Sequence, residues 1–152
     1  MELVIAAVGR ARKGPERALF EHYAERLKWP LSLKEVEEKR PLPAAQRMER
    51  EGALLLACVP AGARVVALDE RGKALSSQTF ADQMGAWRDQ AVPAVAFLIG
   101  GADGHAPEVR ARADLLLGLG AMTWPHMLVR GLLVEQVYRA QCILEGHPYH
   151  RA

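Results

Sequence analysis

The sequence predicts an α/β fold, a single domain in which a mainly parallel sheet lies between helices, and three observations carry that prediction. Five short apolar or half-apolar runs recur along the chain, and each is separated from the next by a stretch with helical spacing. The first run is apolar almost without a break, as a strand covered on both faces requires. Glycine-rich or polar loops follow several runs, which places candidate ligand loops at the carboxyl edge of a parallel sheet. At 152 residues, one domain with a substantial core is the simplest organisation.

In order, Glu2 to Val8 is the first strand. Gly14-Pro15 opens a helix with proline in the first turn, where its missing N–H is harmless. Ala18, Leu19, Tyr23, Ala24 and Leu27 keep helical spacing until Pro30 stops it. Leu31 to Val36 is short and partly polar, as suits a strand near an edge. Pro41 and Pro43 punctuate before a helix over Ala44 to Cys58, and Pro60-Ala61-Gly62 makes a turn. Arg64 to Leu68 is a third strand ending in a polar loop, Asp69 to Lys73. Ser76 or Ser77 caps the next helix, which runs through Phe80, Met84 and Trp87. Val92 to Ile99 is strand, Pro107 starts a short helix, and Asp114 to Leu117 is a fifth strand. Met127 to Glu145 is the longest helix, and its apolar residues, Leu128, Leu132, Val134, Tyr138, Ala140, Cys142 and Ile143, spread over more than one face. Such a helix is either central to the core or half of a subunit interface, and in a small domain the interface is favoured, most simply of a homodimer.

Composition excludes several classes. No apolar run approaches the roughly 20 residues that cross a bilayer, and the first residues lack a signal-peptide pattern, so a cytoplasmic location is expected. Cys58 and Cys142 stand alone, giving neither a disulfide framework nor a paired-cysteine zinc site. Among five histidines, His147 and His150 are three apart, but Pro148 between them opposes a helical ligand pair, so no metal is expected. The net charge of +2 is small, yet Arg10, Arg12, Lys13 and Arg17 cluster around Gly14-Pro15. That cluster reads either as a solvated loop or as a phosphate-contacting patch.

Two stretches carry candidate chemistry. Gly100-Gly101-x-x-Gly104 follows an apolar strand, but its spacing is not the G-x-G-x-x-G of a dinucleotide loop. His147-Pro148-Tyr149-His150-Arg151 supplies an aromatic ring, two imidazoles and a guanidinium, which can stack on a base, move a proton near neutral pH and hold a phosphate. No serine or cysteine sits in a nucleophile elbow.

Taken in order, Phe97-Leu98-Ile99-Gly100-Gly101-x-x-Gly104, Thr123-x-Pro125-His126-x-x-x-Arg130, Glu135-Gln136-x-Tyr138-Arg139-Ala140 and His147-Pro148-Tyr149-His150-Arg151 resemble the RlmH family. These are small SPOUT methyltransferases with a C-terminal trefoil knot. The similarity spans essentially the whole chain, including Leu3-Val4-x-x-Ala7-Val8-Gly9 and Leu68-Asp69-x-x-Gly72-Lys73. It implies S-adenosyl-L-methionine bound in the knot, a homodimer, and N3-methylation of a pseudouridine in the decoding-region hairpin of 23S ribosomal RNA, on assembled ribosomes.

Carried over by position, the family's cofactor residues fall on Leu68, Gly100, Leu119, Gly120, Ala121, Met122, Thr123 and Trp124, and its functional C-terminus on Tyr149, His150 and Arg151. The chain departs from the family at Ala102-Asp103-Gly104-His105 and at Trp124, which replaces a smaller apolar residue. The reaction needs a group that helps remove the uracil N3 proton: His150 by its titration range, or Glu135, or water. Arg130 or Arg151 is expected to stabilise the uracil anion or clamp a phosphate. Two other classes compete: a non-catalytic ribosome- or RNA-binding protein with the same fold, and a different nucleotide-using α/β enzyme. Intact glycines and an intact His-Pro-Tyr-His-Arg stretch count against the first, and the glycine spacing against the second.

Overall fold

A computed structural model describes residues 1–151. Strands β1 (Glu2–Val8), β2 (Leu31–Val36), β3 (Arg64–Lys73), β4 (Ala94–Ile99) and β5 (Leu115–Leu117) alternate with helices α1 (Pro15–Ala24), α2 (Ala44–Leu56), α3 (Ser77–Asp89), α4 (Pro107–Arg112) and α5 (His126–Glu145). All pairings are parallel, in the order β2-β1-β4-β3-β5. Every strand therefore ends at the same edge, and β2, the partly polar strand, is at one border of the sheet.

Alternation along the central strands divides the interior into two layers. Leu3, Ile5, Ala7, Val95, Phe97 and Ile99 face one side, where Phe80, Met84, Leu133 and Val137 cover them from α3 and α5. Val4, Ala6, Val8, Ala96 and Leu98 face the other, under Leu55 of α2 and Val109 of α4. Both faces are thus buried, which explains why β1 and β4 carry almost no polar residue.

Two expectations change. The Asp69–Lys73 stretch is not a plain loop: β3 runs on through it to Lys73. Leu68 and Lys73 both pair with Leu117, so the four residues between them bulge out of the ladder and keep their polar side chains in solvent or in the adjoining cleft. The second change concerns α5, whose Leu133, Val134, Val137, Ala140 and Cys142 are buried within a single chain. Val134 has no exposed surface and cannot be an interface position. The cause is that α5 lies against both α1 and α3 as well as the sheet, so several of its faces are covered without a partner. The Ser76 side chain, not that of Ser77, caps α3 by accepting from Thr79 N–H at 3.0 Å.

From β5 at the far border the chain must return across β3 to reach α5. It does so where Gly72 and Gly118 meet main chain against main chain. A Cβ on Gly72 would lie 2.6 Å from the Leu117 carbonyl carbon and 2.7 Å from Gly118 N, and one on Gly118 would lie 2.9 Å from the Gly72 oxygen. Gly118 N–H donates to Lys73 O at 3.0 Å across this crossing. Only two residues without side chains can pass so closely.

Gly72→Ala is therefore expected to destabilise the fold by about 1–3 kcal/mol or more, because backbone atoms rather than a pliable side chain must yield. Gly14→Ala, where the nearest atom is 3.7 Å away, is the control and should be close to neutral. Chemical denaturation of the two variants measures the difference.

Candidate active site

At the carboxyl ends of β3, β4 and β5 an open cleft of about 870 Å³ is walled by three segments. Leu68 to Arg71 form one wall, Ile99 to His105 the second, and Leu119, Gly120 and Met122 to His126 the third. The volume is within the range of small-molecule sites. Of the residues that the resemblance assigns to cofactor binding, Leu68, Gly100, Leu119, Gly120, Met122, Thr123 and Trp124 line this one cleft, and Ala121 lies on the same loop. Positions up to 56 residues apart in sequence are brought together because parallel strands end at a common edge.

The third wall offers main chain to a ligand. Among the described residues no side chain or backbone group bonds the N–H or C=O groups of Gly120 to Thr123. Gly120 has φ +102°, and a Cβ there would meet nothing within 4 Å, so the backbone is open to the cleft. The Trp124 indole N–H donates to Leu119 O at 3.2 Å and clips the loop across its base. Met122 is 76% exposed and Trp124 41%, which leaves an uncovered apolar rim at the cleft mouth.

Sequence reasoning overlooked four further residues here. Asp69 and Arg110 form an ion pair in the cleft wall, and Asp69 also accepts from Arg71 N–H at 2.8 Å, which fixes the bulge of β3. His105 is buried in the wall with Nε2 3.1 Å from Leu98 O. Burial pushes its pKa below the ordinary imidazole value, outweighing that hydrogen bond and the nearby Asp69 charge, so the ring is neutral and Nε2–H donates. Glu51 of α2 lies buried behind Gly101. Sequence marked His105 only as a departure, and nothing local marked Glu51, because only the folded packing places it beside Gly101.

The predicted reaction residues divide between two places. Tyr149 donates its hydroxyl to Glu135 Oε1 at 2.8 Å, stands edge-on to Tyr138 and lies under the Arg139 guanidinium. Burial and bonds to Tyr23 and Glu135 push its phenol well above the ordinary value. His150 Nδ1 is 3.1 Å from an Arg139 nitrogen. A guanidinium only donates, so Nδ1 is the acceptor and the proton of a neutral ring sits on Nε2. In this arrangement His150 is a donor toward anything it meets, and it becomes a base only when the Arg139 bond is released. Glu135 is engaged by Tyr149, Arg139 and Gln136. Arg151 is exposed. This cluster sits ten residues along α5 from Val129 of the cleft, about 15 Å by helix rise.

Arg130 is in neither place. It is 2% exposed, with its guanidinium 2.6 Å from Glu35 Oε2, 2.8 Å from Gly9 O and 3.2 Å from Val8 O. Glu35 also accepts from Ala11 N–H at 2.6 Å. The expected role at the uracil or a phosphate is replaced by a structural one: Arg130 ties the first turns of α5 to the ends of β1 and β2. Burial works to raise the Glu35 pKa, but the Ala11 bond and the Arg130 bond and charge outweigh it and hold the carboxyl below its ordinary value.

With this geometry in place, comparison with known proteins is decisive. A family model described as "Predicted SPOUT methyltransferase" matches residues 1–150. Proteins named "Ribosomal RNA large subunit methyltransferase H" from Rhodospirillum centenum and Rhodospirillum rubrum are 63% and 62% identical over 152 residues, covering 100% of both chains in each case. The chain belongs to the RlmH family of SPOUT methyltransferases. The same-named protein of Paramagnetospirillum magneticum is 62% identical over 151 residues, covering 99% of each chain. The SpoU methyltransferase AviRb of Streptomyces viridochromogenes, solved with AdoMet, is a remote likeness at 15% identity and TM-score 0.47, over 94% of this chain and 61% of that one. The cleft of this family member lies beside the crossing at Gly72 and Gly118, with Arg71, Leu117 and Leu119 in its lining.

Arg130→Met takes the guanidinium from Glu35, which keeps only its Ala11 N–H donor, and from two carbonyls, and is expected to destabilise by about 3 kcal/mol, the lower end for a broken buried pair since Glu35 is a quarter exposed. Because Glu35 is held below its ordinary 4.5, its contribution is full above that pH and is lost as pH falls through the lowered value. The variant should therefore show a flatter loss of stability below about pH 4.5, measured by denaturation across acid pH.

Proposed function

We propose that the protein transfers a methyl group from S-adenosyl-L-methionine to N3 of a pseudouridine in the decoding-region hairpin of 23S ribosomal RNA, acting as a homodimer on assembled ribosomes in the cytoplasm. What carries this reading is the single cleft at the ends of β3, β4 and β5, where seven positions expected to hold the cofactor converge. The 63% identity to proteins named for ribosomal RNA methylation supports the substrate.

The residues present fit the cofactor. The free main-chain edge of Gly120 to Thr123 suits the hydrogen-bonding edge of an adenine, Leu68, Ile99 and Leu117 supply apolar contact, and Gly100 allows close approach. When bound, S-adenosylmethionine supplies a methyl group on a sulfonium, so neither a metal nor a covalent enzyme intermediate is required. The protein's own task is alignment and proton removal. The tail of one chain lies away from its own cleft, and the exposed Met122 and Trp124 rim that cleft. These features support a dimer in which the tail of one subunit completes the cleft of the other. There Tyr149 stacks on the base, Arg151 holds a phosphate or the uracil anion, and His150, once free of Arg139, takes the N3 proton.

The β1–α1 loop ends at the same sheet edge as the cleft, two strands from β3. Arg10 and Arg17 reach Glu37 and Glu21 at 3.7 and 2.8 Å in exposed pairs, while Arg12 and Lys13 have no ion-pair partner among the described residues. Such exposed pairs are weak and exchange readily for phosphate. The cluster is the RNA-backbone contact in this reading.

Ribosomes lacking the modification, incubated with the protein and methyl-labelled S-adenosylmethionine, should acquire one label, on a pseudouridine N3, as read by nucleoside mass spectrometry. No transfer, or transfer to another nucleoside, contradicts the proposal. Removal of residues 149–152 should leave cofactor binding intact and nearly abolish transfer. His150→Ala should lower turnover more than ribosome affinity, and Arg151→Ala the reverse. Neutralising Arg10, Arg12, Lys13 and Arg17 together should weaken ribosome binding and flatten its salt dependence, by about 0.7–0.9 in log–log slope for each phosphate that is no longer neutralised. An unchanged slope would return the cluster to a solvated loop.

A further inference from the structure

Among the described residues, three buried side-chain polar atoms have no hydrogen-bond partner: Glu51 Oε1, His105 Nδ1 and Arg130 Nε. Two of these side chains press on the glycine loop that walls the cleft. A Cβ on Gly100 would meet the His105 ring at 3.3 Å, and one on Gly101 would meet Glu51 Oε1 and Oε2 at 3.2 and 3.3 Å. The Glu51 carboxyl thus fills the place of the side chain that Gly101 lacks. Gly101 itself lines the cleft, so no side chain of that residue stands between the carboxyl and a bound ligand.

A carboxyl that is 6% exposed and has no donor is unfavourable, and natural structures rarely keep one without a use. Packing alone does not account for it, because an aliphatic residue fills much the same volume without an unpartnered polar atom. We propose that Glu51 is the counter-charge for the cationic part of S-adenosylmethionine, acting across Gly101. This rests on the cofactor reading above and adds a residue that neither the sequence motifs nor the cleft walls assign.

The groups facing Glu51 set its behaviour. Burial pushes its pKa up, the Asp103 and Glu38 charges add to that, and the Arg47 charge opposes them. Arg47 is itself partly drawn to Asp103 at 3.5 Å, and the neighbouring His105 is neutral. Glu51 thus takes up a proton more readily in the free protein than an ordinary carboxylate does. A cation placed beyond Gly101 favours the carboxylate, so binding the cation releases a proton from Glu51. Affinity for the cation should fall as pH drops through the Glu51 titration.

The test is calorimetry on the intact protein with three ligands: S-adenosylmethionine, S-adenosylhomocysteine, which keeps the ammonium but not the sulfonium, and 5′-methylthioadenosine, which has neither. Glu51→Gln should weaken S-adenosylmethionine by at least about tenfold, the factor equal to 1.4 kcal/mol, and leave methylthioadenosine unchanged. A loss shared by S-adenosylhomocysteine identifies the ammonium as the partner, and a loss confined to S-adenosylmethionine identifies the sulfonium. Equal weakening of all three, or of none, overturns the proposal. Should the variant fold poorly, wild type serves: as pH is lowered through the Glu51 titration, binding measured in buffers of different ionisation enthalpy should release a fraction of a proton with S-adenosylmethionine and none with methylthioadenosine. Absence of that difference overturns the proposal too. Failure of wild type to bind S-adenosylmethionine at all would instead remove the cofactor reading beneath it.

Discussion

Two main chains cross at Gly72 and Gly118 with no room for a Cβ on either, and the cleft depends on that crossing. The return from β5 must pass β3 before α5 can begin, and a close pass holds residues 119–126 against the ends of β3 and β4 rather than out in solvent. Lys73 O and Gly118 N–H fix the register of the pass, and the Asp69–Arg110 ion pair fixes the bulge beside it. Three cleft walls from three parts of the sequence are thereby set by backbone geometry. Backbone placement suits a ligand read through main-chain edges, because loop positions then need not be particular side chains.

Arg130 provides the second fixed point. Its guanidinium joins the ends of β1 and β2 to the beginning of α5, and through Glu35 it reaches Ala11 in the basic loop. The start of α5, the 119–125 loop that leads into it and the basic loop therefore share one buried anchor. At the other end of α5, Glu135, Tyr138 and Arg139 hold the tail. One helix carries cleft and tail at separate stations, and the proposed reaction joins the two through a second subunit.

Much of the fold was readable because the central strands are buried on both faces and so are almost wholly apolar, while proline and glycine mark the turns. The bulged end of β3 was not readable, since Asp69 to Lys73 is polar and only its pairing with Leu117 makes it strand. The burial of α5 was misjudged for a related reason. An apolar helix circumference has the same pattern whether α1, α3 and a sheet cover it or a second subunit does. The glycine loop, the 119–124 loop and the tail were legible as motifs. Arg130 was legible as a motif residue but not in its role, because its partners are 95 and more residues away in sequence. Glu51 carried no local signal at all.

The cleft as the cofactor site is the centre of this account, and hydrogen–deuterium exchange with and without S-adenosylmethionine measures it most directly. Residues 119–124 should gain the most protection, since their main-chain groups lack internal partners until a ligand supplies them. Segments 68–71 and 99–105 should gain less, and the tail at 146–151 should not change. Protection confined to the tail or to α1, or none at saturating ligand, would contradict it.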